Sequence, residues 1–262
     1  MSYYFLFYQD QILLTLNECI PLCESCPLSL PETETLHPLP AIDGTPCFTA
    51  SLQDTTVPEG YQLMPLRASF NVLPTKVFQM AGKAREILHW DQTNRFCSVC
   101  GGKMALHTDI SKRCTQCGRE VWPALSTAII VAITRNEGKE ILLVQGKNFK
   151  RDYLGLVAGY VETGEDLETC VRREVREETG LRIRNVLYFA SQPWPFPSVL
   201  MMGFTAEYES GELHLQAEEL RKGGWFDADH LPMVPSKISL ARRLIDHWLS
   251  EQGRPTDGLA CW

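Results

Sequence analysis

The chain has no long apolar run, no internal repeat and no low-complexity tract. Its opening, MSYYFLFYQDQILLTL, carries no basic stretch ahead of the apolar residues, and Gln9, Asp10 and Gln11 interrupt them, so neither a secretory signal nor a membrane span is expected. A cytoplasmic location follows as the default. Positive charge is also short, with 25 Lys and Arg against 32 Asp and Glu and a formal net charge of -7. That balance argues against tight, sequence-independent binding along nucleic acid, where neutralising phosphates dominates affinity. An acidic protein that acts on phosphates needs a metal to offset the repulsion. Cysteine, by contrast, is plentiful at ten residues. In a reducing compartment clustered cysteines hold metal more often than they form disulfides.

The length of 262 residues suits two small domains better than one, and 44% hydrophobic content is enough for packed cores. Residues 1–92 read as one N-terminal domain, with two apolar runs, a stretch rich in Pro, Thr and Cys over 21–58, and a helical pattern over 75–90. Its composition does not say what it does. A four-cysteine segment fills 93–122. Over 123–262 the pattern turns strand-like, STAIIVAIT and then ILLVQ, followed by LGLVAGYVE and a short helix. Further strands are expected near 186–191, 200–208 and 224–226, and a last amphipathic helix over about 236–249. Strands on both sides of one helix, with a second helix at the end, fit an α+β fold in which a mixed sheet lies between helices as an α/β/α sandwich.

Residues 159–181 read GYVETGEDLETCVRREVREETGL. Thr163 and Asp166 form an N-terminal capping pattern, Leu167, Val171 and Val175 recur at helical spacing, and Gly180 supplies a left-handed stop, so a short helix is expected. On it Glu174, Glu177 and Glu178 lie three and four residues apart, and their carboxylates project together beside the buried stripe. Carboxylates so close repel one another unless a cation sits among them, and hard oxygen ligands favour Mg2+ or Mn2+. A solvated acidic helix face is the plain alternative. Against it, Gly159, Glu165, Arg173, Glu174, Glu177, Glu178 and Gly180 stand at the spacing G-x5-E-x7-R-E-U-x-E-E-x-G-U, with U aliphatic, which resembles the Nudix box.

Cys97, Cys100, Cys114 and Cys117 give C-x2-C-x13-C-x2-C. Two thiolate pairs on tight turns place four soft ligands tetrahedrally, as a closed structural Zn2+ site requires, and leave His107 between them as an exposed histidine. Lys103, Lys112, Arg113 and Arg119 against Asp109 and Glu120 make only a weak basic patch, so a clamp between domains is expected rather than a nucleic-acid module. Cys19, Cys23 and Cys26 have the spacing C-x3-C-x2-C, which resembles the cluster-binding signature of radical enzymes that use S-adenosylmethionine. The prolines behind them, from Pro27 to Pro46, do not fit the alternating strands and helices that such a cluster needs. A second zinc site with Cys47 is a further reading, and unliganded loop cysteines are the one adopted.

Ten residues after the box come Ser191, Gln192, Pro193, Trp194, Pro195, Phe196 and Pro197. Three prolines alternating with two aromatics make a stiff extended segment that cannot pair as an interior strand. It either walls a binding site or packs on the core. With the box and the cysteine ribbon in the same order, SQPWPFP resembles the array C-terminal to the box in the NADH pyrophosphatase subfamily of Nudix hydrolases, SQPWPFPxS. The final serine of that array falls at Val199, with Ser198 one place earlier. The resemblance covers about 93–250 well and the N-terminal part loosely.

What the resemblance implies is hydrolysis of the pyrophosphate of NADH or NAD+ to nicotinamide mononucleotide and AMP, removal of NAD caps from RNA 5' ends, a homodimer, structural zinc and several catalytic divalent ions. Carried over residue by residue, the metal ligands are the main-chain oxygen of Ala158 with Glu174, Glu178 and Glu219, and Glu177 is an added candidate. A carboxylate deprotonates the attacking water; Glu178 is the choice, although spacing does not separate ligand from base. Glu177 and Arg173 complete the catalytic set, Arg173 by orienting a box glutamate. Trp122 and Tyr160 either stack on a substrate ring or pack in the core, and residues from Gln192 to Ser198 enclose the dinucleotide. Two other readings stand beside this one. A Nudix hydrolase of another nucleoside diphosphate derivative, such as ADP-ribose, has no need of SQPWPFP, and a non-catalytic Nudix sensor is expected to have lost box glutamates, none of which is missing here.

Overall fold

The computed structural model describes residues 1–31, 34–147 and 152–256, which form two compact units, Met1–Leu125 with Trp194–Ser198, and Ser126–Pro193 with the chain from Val199 on. The first unit opens with β1 (Ser2–Tyr8), β2 (Gln11–Thr15), β3 (Leu22–Cys23), β4 (His37–Ile42), β5 (Thr45–Ser51) and β6 (Tyr61–Pro65), then α1 (Leu66–Ser69) and α2 (Thr75–Thr93). The apolar runs expected at the start are β1 and β2, whose Phe5, Leu6, Phe7, Ile12, Leu13 and Leu14 are all buried. A three-stranded ribbon follows, with β7 (Met104–Thr108), β8 (Ser111–Cys114) and β9 (Glu120–Val121). The helix expected over 75–90 runs to Thr93 because the ribbon caps it. Lys112 Nζ donates to the main-chain oxygens of Asp91 at 2.7 Å and Asn94 at 3.1 Å, pairs with the Asp91 carboxylate at 2.8 Å, and lies over the Trp90 ring. Its ammonium supplies the donors that the last helical carbonyls lack.

The second unit holds β10 (Ser126–Arg135), β11 (Glu140–Gly146), β12 (Val157–Tyr160), α3 (Leu167–Thr179), β13 (Arg182–Trp194), β14 (Val199–Ser210), β15 (Leu220–Asp227) and α4 (Leu240–Glu251). Strand β10 carries side chains to both faces, with the period of two that a strand imposes. Ile129, Val131 and Ile133 pack with Val171 and Val175 of α3, while Ile130 and Ala132 pack with Leu240, Leu244, Ile245 and Trp248 of α4. This is the expected sheet between helices. Full burial of each such valine or isoleucine contributes roughly 1.5–3 kcal/mol, so alternation along β10 holds both helices. The last helix begins at Leu240 rather than near 236, because Ser239 is its cap and accepts from the Arg242 main-chain N–H at 3.3 Å.

The absence of an internal repeat does not survive in three dimensions. In the first unit the strand order is β4-β5-β1-β2-β6 with β3 on β1; in the second it is β13-β14-β10-β11-β15 with β12 on β10. The senses correspond too: β1 is parallel to β5 as β10 is to β14, and antiparallel to β2 and β3 as β10 is to β11 and β12. One topology occurs twice. Where α3 falls in the second copy, between its third and fourth strands, the first has no helix among its described residues and carries Cys26, Pro27 and Pro31 instead. Topology depends on where apolar residues alternate, and many sequences satisfy the same alternation, so the repeat leaves no trace in residue identities.

Candidate active site

Helix α3 is capped by Asp166, whose carboxylate accepts from the Thr169 main-chain N–H at 2.7 Å, so of the expected pair Asp166 is the cap and Thr163 lies ahead of the helix. Gly180 ends it at φ 74°, in the left-handed region where glycine is unstrained. The exposed C-terminal carbonyls are then taken by a later segment: Gln216 N–H donates to Glu178 O at 2.8 Å and His214 N–H to Thr179 O at 2.9 Å. These bonds moor the segment that leads to Glu219, a residue 41 positions beyond Glu178 in sequence.

The three box carboxylates do not share one environment. Glu174 and Glu178 are only 9% and 4% exposed, whereas Glu177 is exposed. Arg173 binds Glu165 through two N–H groups at 2.8 and 2.9 Å, Glu174 at 2.9 Å, Glu177 at 3.0 Å and the main-chain oxygen of Tyr160 at 3.0 Å. Five bonds engage all five of its N–H groups. These bonds fit the expectation that Arg173 orients a box glutamate, since they leave its guanidinium no free donor. Its guanidinium holds Glu165 down to about 2. Burial raises Glu174, against the pull of Arg173. Glu178 has no cationic partner among the described residues, and burial, followed by the charges of Glu174, Glu219 and Glu177, pushes its carboxyl up to about 8. An acid so placed repels its own ionisation, and a cation among these groups would reverse that.

Gly159 on β12 is where Glu174 rests. A Cβ on Gly159 would lie 1.9 Å from the Glu174 carboxyl carbon and 2.2 and 2.3 Å from its oxygens. No side chain fits there. Ala158 beside it is exposed, as is Glu219, whose charge nevertheless reaches Glu174 and Glu178. A cradle without a side chain, two buried carboxylates and a third carboxylate nearby form an all-oxygen donor set that fits a hard divalent cation. Arg173 draws Glu174 and Glu177 to itself, and the box carboxylates do not close into a tight cluster. Among the described residues only Cys97, Cys100, Cys114 and Cys117 bring three or more ligand atoms within 4.8 Å of one another. Tyr160 and Trp122 are 60% and 56% exposed, which rules out core packing for both and leaves their rings free to stack.

The SQPWPFP segment is less uniform than its composition implies. It is strand through Trp194 and then turns through 195–198, so the stiff extended rod expected here is a strand end and a tight turn. Strand β13 lies at the sheet edge, where Pro193 breaks no ladder. Gln192 and Pro195 depart from the expected binding surface. Gln192 is wholly buried and donates its amide to Ile238 O at 2.6 Å, and Pro195 is a buried peg 3.2 Å from where a Cβ on Gly82 would stand. Ser198 is half-buried and donates to Ala124 O at 3.4 Å, while Pro193 and Pro197 are exposed. Trp194 and Phe196 meet edge to face at 5.1 Å, and Arg67 lies over both rings at 5.0 and 4.5 Å. No sequence motif pointed to Arg67, which the fold brings there from α1.

In the ribbon, Cys97 Sγ is 3.7 Å from Cys117 and Cys100 Sγ 3.5 Å from Cys114, close to the ~3.8 Å edge of a tetrahedron with Zn–S bonds of ~2.3 Å. The N–H groups of Cys117 and Gln116 hold the Cys114 thiol down to about 6. His107 contacts Arg113 and Glu120. Cys47 is buried in β5 with its thiol on Thr45 O, Cys23 lies 4.0 Å from the Tyr61 hydroxyl and packs with Cys26 on one apolar cluster, and among the described residues no three N-terminal cysteines bring their sulfurs within 4.8 Å of one another. Purified protein should carry one zinc per chain, and Cys97→Ser should lower the melting temperature more than the turnover of the folded fraction. Structural zinc is worth on the order of 10 kcal/mol in isolated fingers and less beside a supporting core. Elemental analysis without zinc, with four titratable thiols, would overturn the assignment.

Comparison with known proteins points the same way. Residues 124–249 match the model of the NUDIX domain, 1–90 that of the NADH pyrophosphatase-like rudimentary NUDIX domain, and 92–121 that of the NADH pyrophosphatase zinc ribbon domain. The chain is 42% identical over 196 residues, 74% of its length and 70% of the relative's, to a Deinococcus radiodurans protein named NAD-capped RNA hydrolase NudC. It is 37% identical over 206 residues to the protein of that name in Chromobacterium violaceum, covering 78% and 77% of the two chains. With that of Stutzerimonas stutzeri it shares 41% over 217 residues, covering 81% and 77%.

Proposed function

The chain belongs to the Nudix hydrolases of the NADH pyrophosphatase type, and from that premise we propose that it hydrolyses the pyrophosphate bond of NADH and NAD+ to nicotinamide mononucleotide and AMP, and removes NAD caps from RNA 5' ends. The observation that carries this is Glu178, buried without a cationic partner among the described residues, beside Glu174 in its glycine cradle. Bound divalent ions, Mg2+ or Mn2+, would neutralise the pyrophosphate. The residues that would hold them are the main-chain oxygen of Ala158 with Glu174, Glu178 and Glu219. A carboxylate oxygen of Glu178 takes the proton of the attacking water as its oxygen bonds to phosphorus and the bridging P–O bond breaks. Glu177, tethered by Arg173, tunes the charge of the site, and Arg173 fixes Glu174 through a bond of 2.9 Å.

Trp194 and Phe196 are the aromatic candidates for stacking on the rings of the dinucleotide, and Tyr160 and Trp122 are each kept separately as a further candidate. Truncating Trp194 and Phe196 to Ala should lower kcat/KM for NADH several-fold more than for ADP-ribose, which lacks the nicotinamide ring, at about 1 kcal/mol per aromatic contact. Equal losses for both substrates would make the pair a buttress and favour the wider reading of a general Nudix hydrolase. Product analysis with NADH, NAD+ and ADP-ribose in Mg2+ or Mn2+ tests the activity itself. We further infer a homodimer from the resemblance, to be checked by light scattering. A cytoplasmic setting is inferred from the reduced thiols that the zinc site needs. Three domains, 1–92, 93–122 and 123–262, are the division we adopt. No helix among the described residues is long and apolar enough to cross a membrane.

A further inference from the structure

A protein of net charge -7 that acts on the capped end of an RNA has to offer the strand a local positive path, because the acidic metal site and the acidic surface both repel phosphodiesters. One cationic group adjoins that site. The ladder between β11 and β15 pairs Gln145 with Lys222 and Gly146 with Leu220, leaving Arg221 as the extra residue of a β-bulge. Bulges of this kind re-aim a side chain beside an active site. Arg221 is exposed and donates one N–H to Lys147 O at 3.1 Å, and its charge also acts on Asp152, with no further side-chain hydrogen bond among the described residues. The Lys147 main-chain N–H in turn donates to Glu219 O at 2.7 Å, so Arg221 and Lys147 are fixed to the residue whose charge reaches Glu174 and Glu178. Lys222, next on β15, pairs with Asp152 at 2.6 Å, an exposed ion pair of the sort that contributes little and is readily shared with another anion. At the bulge two cations, Lys222 and Arg221, act on the carboxylate of Asp152.

We propose that Arg221, with Lys147 and Lys222, binds the phosphodiesters that follow the cap, and so favours NAD-capped RNA over free NAD(H). This rests on the reading of the site as an NAD-cap hydrolase and adds to it a track for the strand. Free dinucleotide carries only the pyrophosphate that the metal site handles; capped RNA continues from the adenosine ribose with one charge per nucleotide, and only that continuation needs the bulge.

The test compares NADH with a short NAD-capped oligoribonucleotide, on the full chain loaded with Mn2+, as a function of salt. Wild type should lose kcat/KM for capped RNA as salt rises while NADH changes little. In Arg221→Ala/Lys222→Ala the log-log salt slope for capped RNA should flatten by about 1.4, at ~0.7 per phosphate contact on a single strand, and kcat/KM at low salt should fall about five- to tenfold. NADH hydrolysis should stay within about twofold. Arg221→Ala alone leaves the Lys222–Asp152 pair in place and should flatten the slope by half as much. Equal losses on both substrates would overturn the proposal, since the bulge would then act on Glu219; so would an unchanged slope for capped RNA. Wild type that cleaves neither substrate would overturn the cap-hydrolase reading beneath it, a result distinct from NADH cleavage with a flat RNA slope.

Discussion

Glu178→Gln should abolish turnover while leaving the fold intact, with kcat down by ~10^2 to 10^4, the range for loss of a general base. The substitution keeps the shape and removes the carboxylate's charge together with its capacity to take a proton. A variant that retained more than about a tenth of wild-type kcat would remove Glu178 from the base role. Stability supplies a second readout. The folded-state carboxyl lies at about 8, above its ordinary value of 4.5, so without added divalent ions the folded protein holds a proton that the unfolded chain releases between those values. Wild-type stability should then fall as pH rises from about 4.5 to 8. Glu178→Gln should show a shallower decline, the remainder coming from Glu86, which burial pushes up to about 7, and from Glu174, which burial also raises. Melting curves across the window, in buffer free of Mg2+ and Mn2+, separate the two.

Gly159→Ala should cost nearly as much activity with no change at any acidic residue. Its Cβ would coincide with the Glu174 carboxylate, at 1.9 Å from the carboxyl carbon. Glu174 sits at the end of a flexible side chain, so it can swing aside and the sheet can stay closed. The Ile129–Gly159 pairing of the ladder should persist, with stability within about 1 kcal/mol of wild type. What goes is the position of the carboxylate: metal activation should need ~10- to 100-fold more Mn2+, as when the support of a ligand is lost. Glu174→Gln should show the same defect, and the double variant little more than either alone, since both act through one group. Normal metal activation in Gly159→Ala would mean that Glu174 does not bind metal from this cradle.

Much of the site was legible because its chemistry is local. The helix from Leu167 to Thr179, its glycine stop, the tether from Arg173 to a box glutamate and the four-thiol cage all lie within short segments, where spacing maps directly onto geometry. The segment from Gln192 to Ser198 was legible as a unit but not in its parts. Proline and aromatic content predicts stiffness, but only the packing of Pro195 against Gly82 and of Gln192 under Ile238 decides which side chains face outward. Arg67 left no signal, because its importance lies in the rings it covers, and those come from 127 residues further along the chain at Trp194.

By itself, then, the sequence determined the catalytic helix, the ribbon and the order of the motifs, all set by neighbours within a turn or two. Tertiary structure alone decided that Glu178 is buried and Glu177 is not, that Glu174 occupies the space left by Gly159, and that Arg221 is turned out at a bulge beside Glu219. It also decided that one sheet topology occurs twice, once with the box helix and once without. The physical reason is common to all of these: burial, close approach and strand pairing are relations between segments far apart in the chain. Residue identity constrains such relations only through apolar alternation, which many unrelated sequences share.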